Sequence, residues 1–252
     1  MQMKISKIPQ KGNEDTIFRR LREFIEPVDV EWIKKIKPAS EELIWKFYDM
    51  LGMKDLGLEL PKSFIEFAKC AGESDGGLLL NTLRGEFSIS KLISRVNKNH
   101  LHPYKFVFLY DELEMEYSID LSKENYQRIF YEFDSEVCSS FEKLIFQCAV
   151  DLYEKEYYKY EVQFGSSIDS FEQSYLGLNQ IDLFVFMDQL CDKYGLQKVW
   201  LSDEFYYLAY SEDISIVLDK RNGICGTILS EKKEFIEIFE NELINKIGAI
   251  KY

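Results

Sequence analysis

Apolar residues recur along the chain in blocks, some at the spacing of a helix and others at the spacing of a strand. An early run spaces Ile17, Leu21 and Phe24 (or Ile25) at helical intervals before Pro27 interrupts it. Residues 38–51 then repeat apolar side chains every three to four positions and predict an amphipathic helix. Ser40 precedes two glutamates and suits the N-cap position. Gly52 follows the last apolar residue, where a helix commonly ends.

A second helix is predicted within residues 60–77, which read LPKSFIEFAKCAGESDGG. Pro61 suits the first helical position, because the N–H that proline lacks is not needed there. Gly72 is expected to take the left-handed conformation that ends a helix. Gly76 and Gly77 then stand before three leucines, and this order predicts a turn that leads into a strand.

The pattern changes to strand-like alternation in residues 105–122, KFVFLYDELEMEYSIDLS. Here Leu113, Met115 and Tyr117 are expected on one face of a strand. Glu112, Glu114 and Glu116 are expected together on the opposite face. After a polar bend, residues 128–133 predict another strand, and residues 139–142, Ser-Ser-Phe-Glu, form a predicted capping box that opens an apolar helix.

The C-terminal part shows a similar order of elements. A helix from residue 183 is predicted to end near Gly195, and three strand-like runs begin at Phe205, Ile214 and Ile224. The second and third runs flank Asn222-Gly223, the dipeptide most typical of tight hairpins. A closing helix is predicted after Ser230. The similarity to the preceding meander and helix indicates a possible degenerate duplication, although two units with the same physical pattern can also arise by chance.

These elements together predict an α+β protein, in which N-terminal helices precede an antiparallel meander and a closing helix. A smaller α+β domain is expected to follow. The predicted divisions are a polar N-terminal arm at residues 1–20, a first domain at 21–160 and a second domain at 170–252. The boundary is expected between Glu154 and Ser170, where the chain becomes polar and contains Gly165-Ser166-Ser167.

The chain is strongly acidic, with a formal net charge of −13. This charge argues against nucleic acid or an anionic membrane surface as a partner, since both require clustered Lys and Arg. The five cysteines are widely spaced and include no C-x-x-C pair, so they are predicted to be small core residues. No signal-peptide-like start and no uncharged run of 18 residues is found, which leads us to expect a cytoplasmic protein.

Candidate catalytic chemistry is sparse in the sequence. His100 and His102 could hold a metal, but Pro103 follows them and no third histidine exists, so a solvated loop is the preferred interpretation. The chain contains no P-loop and no G-x-G-x-x-G motif. No cofactor is therefore expected. The remaining candidates are the carboxylates of the glutamate row, for either acid/base work or binding of a cationic partner.

Four segments in this order resemble the SUKH superfamily: SEELIWKFYDMLG, LPKSFIEFAKCAGESDGG, FVFLYDELEMEYSID and SSFEKLI. The resemblance covers about residues 38–153. Residues 71–75, Ala-Gly-Glu-Ser-Asp, depart from the Asn-Gly-Gly that the family more often has there. The resemblance implies a largely non-enzymatic binding domain, since the family is known mainly for bacterial immunity proteins and for fungal regulators of cell-wall synthesis.

The sequence therefore predicts a non-enzymatic immunity protein that binds and neutralises a basic polymorphic toxin domain through an acidic sheet face. Two alternatives are an intracellular scaffold or regulator related to the cell-wall regulators, and a hydrolase that uses clustered carboxylates. The oligomeric state is left open. The predicted partner-binding residues are Glu73, Asp75, Asp111, Glu112, Glu114 and Glu116.

Overall fold

The computed structural model describes residues 9, 11, 17–96, 104–132, 134–166, 183–221, 225–247 and 249–251. It confirms the predicted α+β class, with helices and antiparallel sheets in each of two compact units. Unit 1 comprises Met1–Glu154 and unit 2 comprises Lys155–Tyr252.

Unit 1 begins with short helices and continues into a meander and a long helix. Its helices are α1 (Ile17–Ile25), α2 (Trp32–Lys35), α3 (Glu41–Met50), α4 (Lys62–Ala71), α5 (Leu78–Leu83), α6 (Ile89–Arg95) and α7 (Phe141–Tyr153), with a 3-10 turn at Met53–Leu56. Its strands are β1 (Ile36–Lys37), β2 (Ser74–Asp75), β3 (Lys105–Tyr110), β4 (Glu116–Asp120), β5 (Ile129–Tyr131) and β6 (Ser135–Cys138).

The predicted polar arm extends too far into the chain. Ile17 is the first residue of α1 and is fully buried. Arg20 is also buried, and its guanidinium pairs with Glu142 of α7 and lies 4.8 Å from the centre of the Phe146 ring. The arm was expected from the mixed polarity of its residues. The structure shows that the charge of Arg20 is met by a carboxylate inside the fold.

The ends of α3 agree with the sequence signals. The Ser40 hydroxyl accepts a hydrogen bond from the Leu43 N–H at 3.2 Å, as an N-cap does. Gly52, just after the helix, has φ of +66°. At α7, however, the cap is Ser140, whose hydroxyl accepts from the Lys143 N–H at 3.3 Å. The predicted box between Ser139 and Glu142 is therefore wrong, since the cap lies one residue later and Lys143 rather than a glutamate occupies the third helical position.

Helix α4 forms as expected, but its flanking residues act differently. Pro61 occupies the N-cap position rather than the first helical position. Gly72 has φ of −73°, so it is not left-handed. A Cβ there would lie 2.3 Å from the Ala68 carbonyl oxygen and 2.6 Å from the Ala39 Cβ. Glycine is needed at this position because the chain passes close to its neighbours.

The glycine pair after α4 leads into a helix, and the predicted strand after it is wrong. Gly76 and Gly77 have φ of +72° and +88°, and α5 begins at Leu78. The buried Asp75 carboxylate accepts hydrogen bonds from the N–H groups of Gly77 and Leu79, both at 2.9 Å. Asp75 therefore satisfies orphan donors at the start of α5 and stabilises a helix there.

The meander of unit 1 forms a four-stranded antiparallel sheet in the order β3-β4-β5-β6. Behind it, helices supply an aromatic core in which Phe64 is fully buried. Four rings surround Phe64 at centroid distances of 5.2–6.4 Å, from Phe47, Phe87, Phe106 and Phe141. The predicted apolar face of α4 is confirmed by this packing.

Unit 2 contains a six-stranded antiparallel sheet in the order β12-β7-β11-β10-β9-β8. Its strands are β7 (Tyr160–Ser166), β8 (Gln197–Lys198), β9 (Tyr206–Tyr210), β10 (Ile214–Asp219), β11 (Cys225–Ser230) and β12 (Ala249–Lys251). Its helices are α8 (Leu183–Tyr194) and α9 (Lys233–Ile247), with a 3-10 turn at Glu154–Tyr157 where the two units join.

The three predicted strands and both predicted helices of unit 2 are present. Gly195 has φ of +68° after α8, and β10 pairs with β11 as the hairpin signal predicted. The turn residues 222–224 lie outside the described residues. Strand β7 was not predicted. This strand occupies part of the expected linker. The predicted first domain ended at residue 160 and so included Tyr160, the first residue of β7, although unit 2 begins at Lys155.

Candidate functional site

Four of the six predicted binding residues lie together at the connection between β3 and β4, residues 111–116. We call this segment the acidic turn. The expected glutamate row on a strand face is wrong, because Glu112 is in a turn and Glu114 has φ of +63°. Only Glu116 belongs to a strand, as the first residue of β4. The alternation in sequence resembles a strand, but the chain reverses direction there.

Asp111 organises the acidic turn. Its Oδ1 accepts hydrogen bonds from the backbone N–H groups of Leu113 and Met115 at 2.8 and 2.9 Å. Its Oδ2 accepts from the Tyr131 hydroxyl at 2.9 Å. The Asp111 N–H also donates to the Met115 carbonyl at 3.0 Å. Because one carboxylate bonds to the loop and to Tyr131 of β5, the turn is held in a defined conformation.

Two arginines face the glutamates of the turn. Arg84 Nη1 lies 3.1 Å from a Glu112 carboxylate oxygen. Arg95 donates to both carboxylate oxygens of Glu114, at 2.7 and 3.2 Å, and its guanidinium lies 4.7 Å from the centre of the Tyr110 ring. The side chains of Glu112 and Glu114 are 58% and 70% exposed. Ion pairs so open to water contribute little stability.

The sequence analysis did not identify Arg84 and Arg95 as part of this site. They lie in the α5–α6 region, far from the turn in sequence. Arg84 has φ of +57°, and Gly85 forms a bridge with Asp111 that brings this segment to the turn. Nothing in their local spacing indicates a partner, so no sequence signal could have paired them with the glutamates.

Beside the ion pairs, the turn has a half-buried tyrosine, Tyr110, where it begins and an exposed leucine, Leu113, at its tip. Burial raises the pKa of the Tyr110 hydroxyl, and nearby Glu116 raises it further. Leu113 is 71% exposed at the tip. A large apolar side chain at the end of a fixed loop, between two carboxylates, is suited to insertion into a partner.

Asp75 and Glu73, the other two predicted binding residues, have structural contacts instead. Asp75 is only 3% exposed and caps α5, so its proposed role at a surface is wrong. Burial raises the pKa of its carboxyl, although the backbone hydrogen bonds act in the opposite direction. Glu73 accepts a hydrogen bond from the Ser90 N–H at 2.9 Å, at the start of α6. Neither residue contributes to the acidic turn.

Other candidate chemistry adds no further site. His100 and His102 lie outside the described residues. Across the described ranges, no group of three or more His, Cys, Asp or Glu side chains could hold a metal ion. The five cysteines, which all fall within these ranges, are thiols.

Two further findings concern the chain as a whole. In the part of the chain that the structure describes, no helix is long and apolar enough to cross a membrane. Comparison with protein-family models, with curated proteins and with solved structures found no match.

Proposed function

We propose that this chain is a cytoplasmic, non-enzymatic binding protein, and specifically a bacterial immunity protein that neutralises a basic toxin domain. The acidic turn is the proposed contact surface. The observation that carries this proposal is the exposed Leu113 between the exposed carboxylates of Glu112 and Glu114, on a loop that Asp111 holds in place.

The fixed conformation of the turn favours binding. A loop that is already ordered loses little conformational entropy when a partner docks, so more of the contact energy appears as affinity. Asp111 provides this order through its bonds to Leu113, Met115 and Tyr131. The tip can then act as a rigid apolar anchor.

The ion pairs of the turn also allow a cationic partner to bind. Exposed pairs of this kind contribute about 0–1 kcal/mol, so a partner's Lys or Arg can replace Arg84 or Arg95 at small cost. The net charge of −13 attracts a basic protein at long range and increases its association rate. The turn therefore combines electrostatic steering with an apolar contact.

The resemblance to the SUKH superfamily also supports the proposal. Its four segments form α3, α4, the β3–β4 hairpin and the start of α7 in unit 1. The specific function proposed here is that of the family's immunity proteins. The alternative, a scaffold or regulator, corresponds to the family's fungal cell-wall regulators.

A carboxylate-based hydrolase is less well supported by the same contacts. General acid catalysis requires a carboxyl whose raised pKa keeps a proton near the substrate. Asp75 has a raised pKa, but it is buried and used as a helix cap. Glu112 and Glu114 are exposed and paired with arginines.

Co-purification and toxicity assays test the proposal. The full chain is co-expressed with the basic C-terminal toxin domain encoded beside its own gene, and we expect a stable complex and restored growth. Changing Leu113→Ala together with Glu114→Gln should weaken binding by about tenfold or more, since both the anchor and a steering charge are lost. The matched control, Tyr126→Ala with Glu124→Gln, alters an exposed aromatic and an exposed acid elsewhere in unit 1.

The outcomes separate three possibilities. If the turn variant and the control variant weaken binding equally, the acidic turn is not the contact surface. Continued toxicity with no complex would refute the immunity function. Capture of an endogenous cell-wall enzyme in place of the toxin would favour the regulatory alternative.

A further inference from the structure

The outer surface of α3 carries an exposed tryptophan between two carboxylates. Glu42, Trp45 and Asp49 are spaced three and four residues apart, so they line up along one side of the helix. Together with Lys46 and Met50 they line an open depression of about 540 Å³. We call this set of five residues the Trp45 face.

Trp45 is positioned but is not part of the core. The helix buries Ile44 and Phe47 on its inner side, whereas Trp45 remains 48% exposed. The Tyr48 ring packs edge-on against the indole at a centroid distance of 5.6 Å. The Tyr48 hydroxyl donates to the Leu58 carbonyl at 2.6 Å, which fixes that ring. A large aromatic ring, in contact with the fixed Tyr48 ring, is therefore about half open to solvent.

The carboxylates beside this ring are available for a ligand. Within the part of the chain that the structure describes, neither Glu42 nor Asp49 forms an ion pair. On the same helix, by contrast, Glu41 pairs with Lys69. Lys46 offsets one of the two negative charges and leaves the face with a net negative charge. An exposed aromatic ring with unpaired carboxylates on both sides favours a cationic ligand.

We propose that the Trp45 face binds an arginine side chain from a basic segment of a protein partner. The planar guanidinium can stack on the indole while its N–H groups donate to the Glu42 and Asp49 carboxylates. Lysine can do only part of this, because its ammonium is a compact point charge with a strongly held hydration shell. The inference rests on the proposed function, since it gives the same basic partner a second contact.

Titration with peptides tests this face without the natural partner. Fluorescently labelled octa-arginine and octa-lysine are titrated against the full chain at about 50 mM salt, where surface charges are only partly screened, and anisotropy gives Kd. We expect octa-arginine to bind at least about threefold more tightly than octa-lysine. Trp45→Ala should raise the octa-arginine Kd by about fivefold or more, and Trp45→Phe by less.

Matched charge variants separate a specific site from general attraction. Glu42→Gln with Asp49→Asn should raise Kd by about fivefold or more, whereas Glu124→Gln with Asp134→Asn should change it less than about twofold. Both double variants remove the same charge from exposed side chains of unit 1. Equal losses in the two would overturn the proposal, and so would an unchanged Kd for Trp45→Ala.

Two controls complete the design. Far-ultraviolet circular dichroism checks that each variant is folded, and the conservative Trp45→Phe provides the aromatic comparison if Trp45→Ala does not fold. Leu113→Ala with Glu114→Gln, which tests the acidic turn, should leave octa-arginine binding within about twofold of the original. The two surfaces can therefore fail independently. Equal affinity for octa-lysine would refute the arginine stacking.

Discussion

Units 1 and 2 both place consecutive antiparallel strands before a closing helix, but they complete their sheets differently. In unit 1, the larger sheet of the described residues is built from the four consecutive strands β3–β6, and β1 pairs separately with β2. In unit 2, the consecutive strands β8–β11 are joined by β7, which precedes α8, and by β12, which follows α9. The same local pattern is therefore compatible with a small local sheet or with a larger one built from distant segments. The duplication stays a prediction.

The two cores also differ in chemistry. Unit 1 packs phenylalanines edge to face around Phe64. In unit 2, mainly aliphatic residues surround the buried Tyr207, whose hydroxyl donates to the exposed Asp188 at 2.6 Å and lies 3.3 Å from the Cys191 sulfur. We call these three residues the polar chain. An aromatic core depends on shape and area, whereas a polar chain depends on each hydrogen bond being made.

The largest expected effect is the loss of an aromatic ring from unit 1. Phe64→Ala should lower the free energy of unfolding by about 3–5 kcal/mol, because it leaves a cavity among four rings. Urea denaturation measures this loss, and hydrogen exchange should place it mainly in residues 17–153. Leu113→Ala, at an exposed position, should change stability by less than about 0.5 kcal/mol. Equal melting temperatures for Phe64→Ala and the wild type would contradict the described core.

A smaller effect is expected when the polar chain of unit 2 is broken. Tyr207→Phe keeps the ring but removes the hydroxyl, and should cost about 0.5–1.5 kcal/mol, because a hydrogen bond is lost while the exposed Asp188 keeps its ion pair with Lys198. The Tyr207 hydrogen bond is the main reason that the pKa of Asp188 lies below its usual value, so this pKa should rise in the variant.

Carbon-detected NMR titration of Asp188 measures that shift directly. The matched control is Tyr160→Phe, at a partly exposed tyrosine of the same sheet. A stability change in Tyr207→Phe no larger than that of the control would show that the polar chain does not stabilise unit 2.

The smallest expected effect is a pH dependence that arises from Asp75 in unit 1. Burial raises its pKa above 3.8, so the folded protein retains this proton to higher pH than the unfolded chain does. The contribution of Asp75 to stability is therefore complete below the unfolded pKa and is lost as pH rises through the folded value. Asp75→Asn lacks this titration. Its stability relative to the wild type should improve between about pH 4 and about pH 7.

Urea titrations of both proteins at the two pH values measure this difference. Glu124→Gln, at an exposed carboxylate, serves as the control. If the free energy of unfolding of Asp75→Asn falls relative to that of the wild type as the pH rises to neutral, the raised pKa is contradicted.

The sequence predicted the elements whose signals are local. The cap at Ser40, the end of α8 at Gly195 and the β10–β11 hairpin all depend on residues close together in the chain. Strands β7 and β12 could not be predicted in the same way, because each depends on pairing with a segment remote in sequence. Pairing with these remote strands, rather than any turn or cap, defines them.

The candidate site was predicted in part. The acidic residues of the turn were identified from their number and spacing, but their arrangement depends on Asp111 bonding back to the loop and on two arginines from elsewhere in unit 1. Asp75 illustrates the opposite error. In the sequence, nothing distinguishes Asp75 from the other acidic residues predicted to bind a partner. In the fold it is buried, and its carboxylate accepts hydrogen bonds from backbone N–H groups at the start of α5.

The position of β7 has a consequence for how the protein folds during synthesis. Once residue 153 has left the ribosome, unit 1 has all its strands and its closing helix, so it can fold while translation continues. Strand β7 emerges next, but its neighbour β11 is made only after α8 and three other strands. Until then β7 has an unpaired edge, and nascent unit 2 is the part of the chain most exposed to aggregation and most dependent on chaperones.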